Sequence, residues 1–199
     1  MNRVRDILAE NGYEVVTYKT PSDSPSGRFA KTYGNDPQID PLTRMLLFLA
    51  NTSDDSRRMK KLLSENPDFL FIDRYYLCSL VYGCAFLKIK SIPIEEEDFK
   101  KLISFIEKIG EKIFINPNLY IIVDAPEEDR IRRLNEKESQ GGLENEIERN
   151  ALMQHYVRQF YKIFMKEKRD KVLWIVNLEG KLEEIAKDLS HKIISRAKV

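Results

Sequence analysis

The sequence predicts an α/β fold: a three-layer parallel sheet with helices on both faces. Three observations lead there. Short apolar runs end in charge, most clearly Phe69-Leu70-Phe71-Ile72-Asp73-Arg74 and Leu119-Tyr120-Ile121-Ile122-Val123-Asp124; strands buried on both faces of a parallel sheet read this way. Segments with helical spacing of apolar residues separate those runs, and strand–helix alternation is the pattern of a parallel sheet. The chain has 199 residues, enough for one domain, 1–199, with a full core.

Composition narrows the function classes. Lys and Arg number 33 against 32 Asp and Glu, a net charge of +1. That balance argues against a nucleic-acid protein held by bulk charge. No apolar run approaches a membrane span and no signal-peptide pattern opens the chain, so a cytoplasmic protein without a membrane partner is expected. Cys78 and Cys84 lack metal-ligand spacing and read as reduced, semi-buried thiols.

In chain order, Val4, Ile7 and Leu8 recur at helical spacing over 2–11, and Asn11-Gly12 stops that helix. Tyr13 to Tyr18 reads as a strand. Lys19 to Gly27 is rich in turn formers and reads as a loop. Pro41 suits a first helical turn, and Leu42, Met45, Leu46, Phe48 and Leu49 continue a buried helix that runs to Leu63. After the Phe69–Asp73 strand, Leu77 to Phe86 is an apolar helix with Ser79 and Tyr82 three residues apart, on one face. Residues 95–112 form an amphipathic helix with Phe99, Leu102, Ile103, Ile106 and Ile109 inward. Leu119 to Asp124 is a strand, and Glu127 to Lys137 is a charged helix carrying Arg130, Arg132 and Arg133. Gln140-Gly141-Gly142 breaks the pattern. A long helix over 146–168, with Ala151, Leu152, Tyr156, Phe160 and Phe164 on or near one face, leads to a last strand at Val172–Val176 and a closing helix at Glu183–Ala197.

The chemistry-bearing residues sit where strands end. Open α/β sheets place ligands at the carboxyl edge, so Asp73 could hold a metal-bound water or a hydroxyl, and Arg74 a phosphate in its planar fork. The plainer alternative is a surface ion pair capping a strand. Lys19, at a strand end beside hydroxyls, could hold phosphate or belong to an ordinary solvated loop. Phe48 reads equally as core.

The order of these motifs resembles the thymidylate kinase family of P-loop nucleoside monophosphate kinases. The resemblance rests on Lys19-Thr20-Pro21 with Pro25-x-Gly27, on Leu47-Phe48-Leu49-Ala50-Asn51, on Asp73-Arg74-Tyr75 followed by Ser79 and Tyr82, and on Val123-Asp124-Ala125-Pro126. It covers nearly the whole chain. It implies phosphoryl transfer from ATP, with Mg2+, to dTMP, giving dTDP, a chemistry of positioning and charge neutralisation. It implies that Arg74 clamps the acceptor phosphate, that Asp73 sits near the metal or its water, and that Lys19 replaces a phosphate-binding arginine as a point charge. By the same resemblance Phe48 stacks on the pyrimidine, Tyr82 and Ser79 line the sugar pocket, and Arg133 leads into a lid at 136–150 that closes over the phosphates. The loop Asn177 to Lys181 borders the adenine, and a homodimer is implied.

The sequence also departs from the family. Thr52 stands where an arginine usually reads the thymine edge, and Gly83 replaces a glutamine, which leaves uridylate or another pyrimidine nucleotide open. No Gly-x-x-x-x-Gly-Lys-Ser/Thr occurs, although in the family that loop cradles the donor phosphates; the first strand of the P-loop sheet is missing with it. Two explanations compete. Either a start is assigned too late, and roughly twenty upstream residues restore strand and loop, or the chain is a degenerate, non-catalytic nucleotide- or protein-binding homologue. A deoxynucleoside kinase is a third option. In each case poor phosphate transfer by the chain as given is expected.

Overall fold

The computed structural model describes residues 1–36, 38–140 and 146–197. Helix α1 (Asn2–Glu10) leads to strand β1 (Val15–Lys19), helices α2 (Pro25–Tyr33) and α3 (Pro41–Leu63), and strand β2 (Phe69–Asp73). Helices α4 (Tyr76–Ile89) and α5 (Glu96–Ile109) precede β3 (Tyr120–Asp124). Then come α6 (Glu127–Ser139), α7 (Glu146–Arg149), α8 (Ala151–Glu167), β4 (Val172–Val176) and α9 (Leu182–Ala197). The α/β class and parallel pairing expected from the sequence are both present.

Side-chain alternation along the strands builds two cores. Tyr18, Leu70, Ile72, Tyr120, Ile122, Val172 and Trp174 point to one side, against α3, α4, α5 and α8. Val15, Phe69, Phe71, Leu119, Leu173 and Ile175 point to the other, against Val4, Ile7 and Leu8 of α1 and Ala186, Leu189 and Ile193 of α9. Period-two alternation is what a strand between two helix layers requires.

The strands form two parallel pairs, β1–β2 and β3–β4, each in register over five residues. Of the helices between the strands, α3, α4, α5, α7 and α8 contribute to the first core. Among the described residues β2 pairs only with β1 and β3 only with β4, so each keeps one unpaired edge. This corrects the expectation of strands buried on both faces: β2 is only half-buried throughout, and Val123 of β3 is 60% exposed. An unpaired edge leaves the side chains beside it without a lateral neighbour.

Three further expectations are corrected. The segment read as a loop to Gly27 contains the start of α2, because the Ser24 hydroxyl accepts from the Gly27 amide and Pro25 sits in the first turn. The helix expected over 146–168 breaks at Asn150, whose side chain caps α8 by accepting from the Met153 amide. Ile109, expected inward, is 56% exposed, and Ala151 and Leu152, expected on or near the face of Phe160 and Phe164, are exposed; the inward faces are Phe99, Ile103 and Ile106 of α5 and Met153, Val157, Phe160 and Phe164 of α8. Cys78 and Cys84 are free thiols, and among the described residues no helix is long and apolar enough to cross a membrane.

Candidate active site

Within each parallel pair the strands end together, which sets Lys19 beside Asp73 and Asp124 beside Val176. The Lys19 Nζ lies 3.6 Å from Asp73 Oδ2, and both side chains reach solvent. An exposed pair of this kind is worth little, so either partner can turn to a ligand. The next residue, Arg74, has φ +64, a left-handed conformation that a non-glycine residue keeps only when its surroundings hold it. Thr20 holds it: its amide donates to the Asp73 carbonyl at 3.0 Å and its hydroxyl to the Arg74 carbonyl at 2.8 Å.

From that turn the Arg74 guanidinium lies 5.9 Å from the centre of the Tyr82 ring and 3.9 Å from Cys78 Sγ. Tyr161 of α8 lies close enough to Cys78 to interact with it. Burial pushes the Cys78 thiol up against the opposing pull of Arg74, pushes Tyr82 up to about 12, and raises Tyr161 well above its ordinary value. These three groups are therefore neutral at pH 7. Apart from the neighbouring Asp73 carboxylate, the groups packed around Arg74 are thus uncharged, which leaves its fork open to an anionic ligand.

The aromatic wall is built on α3 and α4. The Arg44 guanidinium stacks between Phe48, 5.4 Å from its ring centre, and Phe86, 4.7 Å from its own. Phe86 follows Tyr82 by one helical turn. Arg44 donates to the Gly34 carbonyl and, at 3.0 Å, to Asn35 Oδ1. Ser79 lies half-buried on α4, one turn ahead of Tyr82. At the departures from the family pattern the structure is closed. The Thr52 hydroxyl donates to the Phe48 carbonyl at 3.0 Å, inside its own helix, and a Cβ at Gly83 would fall 2.4 Å from Met45 Sδ.

The second strand pair carries a basic cleft of about 380 Å³. Tyr82, the ring beside Arg74, lines it together with Asp124, Arg130, Arg133, Lys137 and Arg158. Arg158 of α8 fixes the end of β3, donating from Nε to Asp124 Oδ1 at 2.9 Å and from Nη2 to the Ala125 carbonyl at 2.5 Å. Arg133 donates to the Asn177 carbonyl at 3.1 Å, tying α6 to the loop after β4. Arg130 donates to the Glu148 carbonyl, and its buried Nε has no hydrogen-bond partner among the described residues. The lid expected at 136–150 lies partly outside the described residues, which omit 141–145.

The structure thus brings Lys19, Asp73, Arg74 and Tyr82 together, with Ser79 on the same helix as Tyr82 and Arg133 in the adjoining cleft. Phe48 of α3 stands on the wall across the Arg44 guanidinium from Phe86. Sequence reasoning missed Arg44, Tyr161 and Arg158, which join the site only through packing of α3 and α8. Among the described residues no group of three His, Cys, Asp or Glu could hold a metal. A Mg2+ carried by nucleotide phosphates needs only one or two carboxylates, and the half-exposed Asp73 fits that demand.

A family model described as thymidylate kinase matches residues 1–189. A probable thymidylate kinase of Archaeoglobus fulgidus is 24% identical over 192 residues, covering 96% of this chain and 86% of the relative. Another, of Thermococcus gammatolerans, is 25% identical over 189 residues, covering 90% and 81%. A thymidylate kinase of Caldicellulosiruptor saccharolyticus is 31% identical over 134 residues, covering 66% and 60%.

Proposed function

The chain belongs to the thymidylate kinase family, and from that premise we propose that it takes dTMP as the acceptor of a phosphoryl group from ATP, giving dTDP, as one cytoplasmic kinase-like domain over 1–199. The observation that carries the proposal is Arg74, held in a left-handed turn with its guanidinium beside Tyr82 and a wall of Phe48 and Phe86 beyond. Arg74 grips the acceptor phosphate with a bidentate fork. Lys19 adds a second positive charge from the neighbouring strand. Phe48 stacks on the pyrimidine, while Ser79 and Tyr82 border the sugar. Arg133 joins the other basic residues of the cleft to neutralise the transferring group. Mg2+, when bound, offsets charge on the donor phosphates, and Asp73 would hold its water shell.

The donor side does not fit as well. The 199 residues hold no glycine-rich phosphate loop, so what they supply is the acceptor half of the reaction. In the family that loop follows a further parallel strand, and among the described residues β2 and β3 each keep one unpaired edge. Loss of a single preorganised donor costs about 10²–10³ in rate in other enzymes, so this chain is expected to turn over at least about a hundredfold below a loop-bearing one.

A coupled ADP-release assay with ATP, Mg2+ and dTMP tests both parts. Slow release that depends on dTMP supports the proposal. Ordinary turnover contradicts the impairment, and dTMP binding with no turnover at all favours a non-catalytic binding protein. Exposed Phe29, Tyr33, Leu42 and Leu46 on α2 and α3 support a homodimer, checked by sedimentation.

A further inference from the structure

The β1–α2 loop and α3 share a buried polar cluster that none of the roles above uses. Asp55 of α3 is 0% exposed. Its Oδ1 accepts from the Ser22 hydroxyl at 2.9 Å and the Arg58 guanidinium at 3.0 Å, and its Oδ2 from the Asn51 amide at 3.1 Å. A carboxylate removed from water is kept only where donors surround it. Here two donors come from α3 and one from the loop after β1, so the charge fastens one element to the other.

The fastening continues along the loop. The hydroxyls of Ser22, Ser24 and Ser26 form a chain with spacings of 2.9 and 3.0 Å. Asn51 donates to Ser24 and Ser26 at 3.3 and 3.1 Å. Ser26 donates to Asp54 at 2.5 Å. The loop is also tight, since a Cβ at Gly27 would fall 2.1 Å from the Ser22 carbonyl oxygen. Two residues ahead of Ser22 stands Thr20, which grips the backbone of Asp73 and Arg74.

We infer that Asp55 is a positioning residue for the acceptor-phosphate clamp: it fixes the loop through Ser22, and the loop, through Thr20, fixes the left-handed turn that aims Arg74. This rests on the reading of Arg74 as the phosphate ligand. Loop and clamp lie on different crossovers, joined at the strand ends by the Lys19–Asp73 pairing and the Thr20 contacts; beyond Thr20 the loop is held by the Asp55 anchor.

The test compares the full chain with Asp55→Asn and Ser22→Ala. The second variant leaves the buried carboxylate and the α3 core in place should the first fold poorly. Two quantities are read: hydrogen exchange at the Thr20 amide relative to Ile122 on β3, and affinity for dTMP relative to thymidine. In both variants Thr20 exchange is expected to rise about tenfold and dTMP affinity to fall about tenfold, the loss of one charge-assisted bond, with thymidine affinity unchanged. Unaltered Thr20 exchange and an unaltered dTMP-to-thymidine ratio, with only a lower melting temperature, would overturn the inference. Should the unmodified chain itself not distinguish dTMP from thymidine, the reading of Arg74 falls, while the Thr20 exchange still decides whether Asp55 positions the loop.

Discussion

The two strand pairs of this molecule are alike in architecture and unlike in how their ends are finished. At the end of β1–β2, Thr20 and the serine chain lock the connecting loop to α3 and to the backbone of Arg74. That leaves the Arg74 guanidinium among neutral groups, ready for an anion. At the end of β3–β4 the principal acid is already occupied, since Asp124 is paired with Arg158; the basic residues around it line an open cleft, and Val123 is exposed beside an unpaired edge. On the function proposed above, the first end is the acceptor half, assembled by the contacts around Arg74, and the second offers basic charge to the donor.

The sharpest way to break this comparison is to remove its two arginines in turn. Arg74→Ala is expected to lower dTMP affinity about a hundredfold, the loss of two charge-assisted bonds. Arg158→Met, on the other half, is expected to leave that affinity unchanged. Calorimetry on both variants checks the pair, and equal losses would erase the distinction between the halves.

Alkaline titration asks whether the halves unfold together. Burial pushes Tyr82 on the acceptor side and Tyr120 on β3 each up to about 12. A phenol raised in the folded state contributes stability that is present below its unfolded value of about 10 and is lost as pH rises through the folded one. Denaturant midpoints read by Trp174 fluorescence and by far-ultraviolet dichroism should therefore stay level with respect to these groups up to about pH 10 and fall together towards pH 12. Two separate transitions would show the halves to be independent.

Smaller effects test the aromatic wall. Phe48→Ala should weaken dTMP about tenfold through lost stacking and burial, measured by the same titration. Discrimination of dTMP from dUMP should be only about fourfold, the worth of one buried methyl, because the Thr52 hydroxyl is engaged within its helix and Gly83 presents no side chain. A preference of several hundredfold would mean that another residue reads the base.

Much of this was legible in the sequence because it is local. The Phe69–Asp73 run ends in charge as a parallel strand does, and the helix to Leu63 carries its own start signal in Pro41, which sits in its first turn. Asp73, Arg74, Ser79 and Tyr82 lie within ten residues, so one strand–turn–helix delivers all four. Helix α2 was hidden because Pro25-Ser26-Gly27 has turn composition, and only the Ser24 cap shows that it opens a helix. Asn150 looks like any polar helix residue until its side chain caps α8. Arg158, Tyr161 and Asp55 are remote in sequence from the turn they serve, and no periodicity links them to it. The half-burial of β2 was illegible for another reason: strand burial depends on lateral neighbours, which an apolar run does not report.

The central claim is that Arg74, as this fold holds it, grips the phosphate of a nucleoside monophosphate. Calorimetric titration of the 199-residue chain with dTMP and, separately, with thymidine tests it most directly. The account predicts that dTMP binds at least about tenfold more tightly, the least that charge-assisted bonds to one phosphate provide. Equal affinities for the two ligands would contradict it.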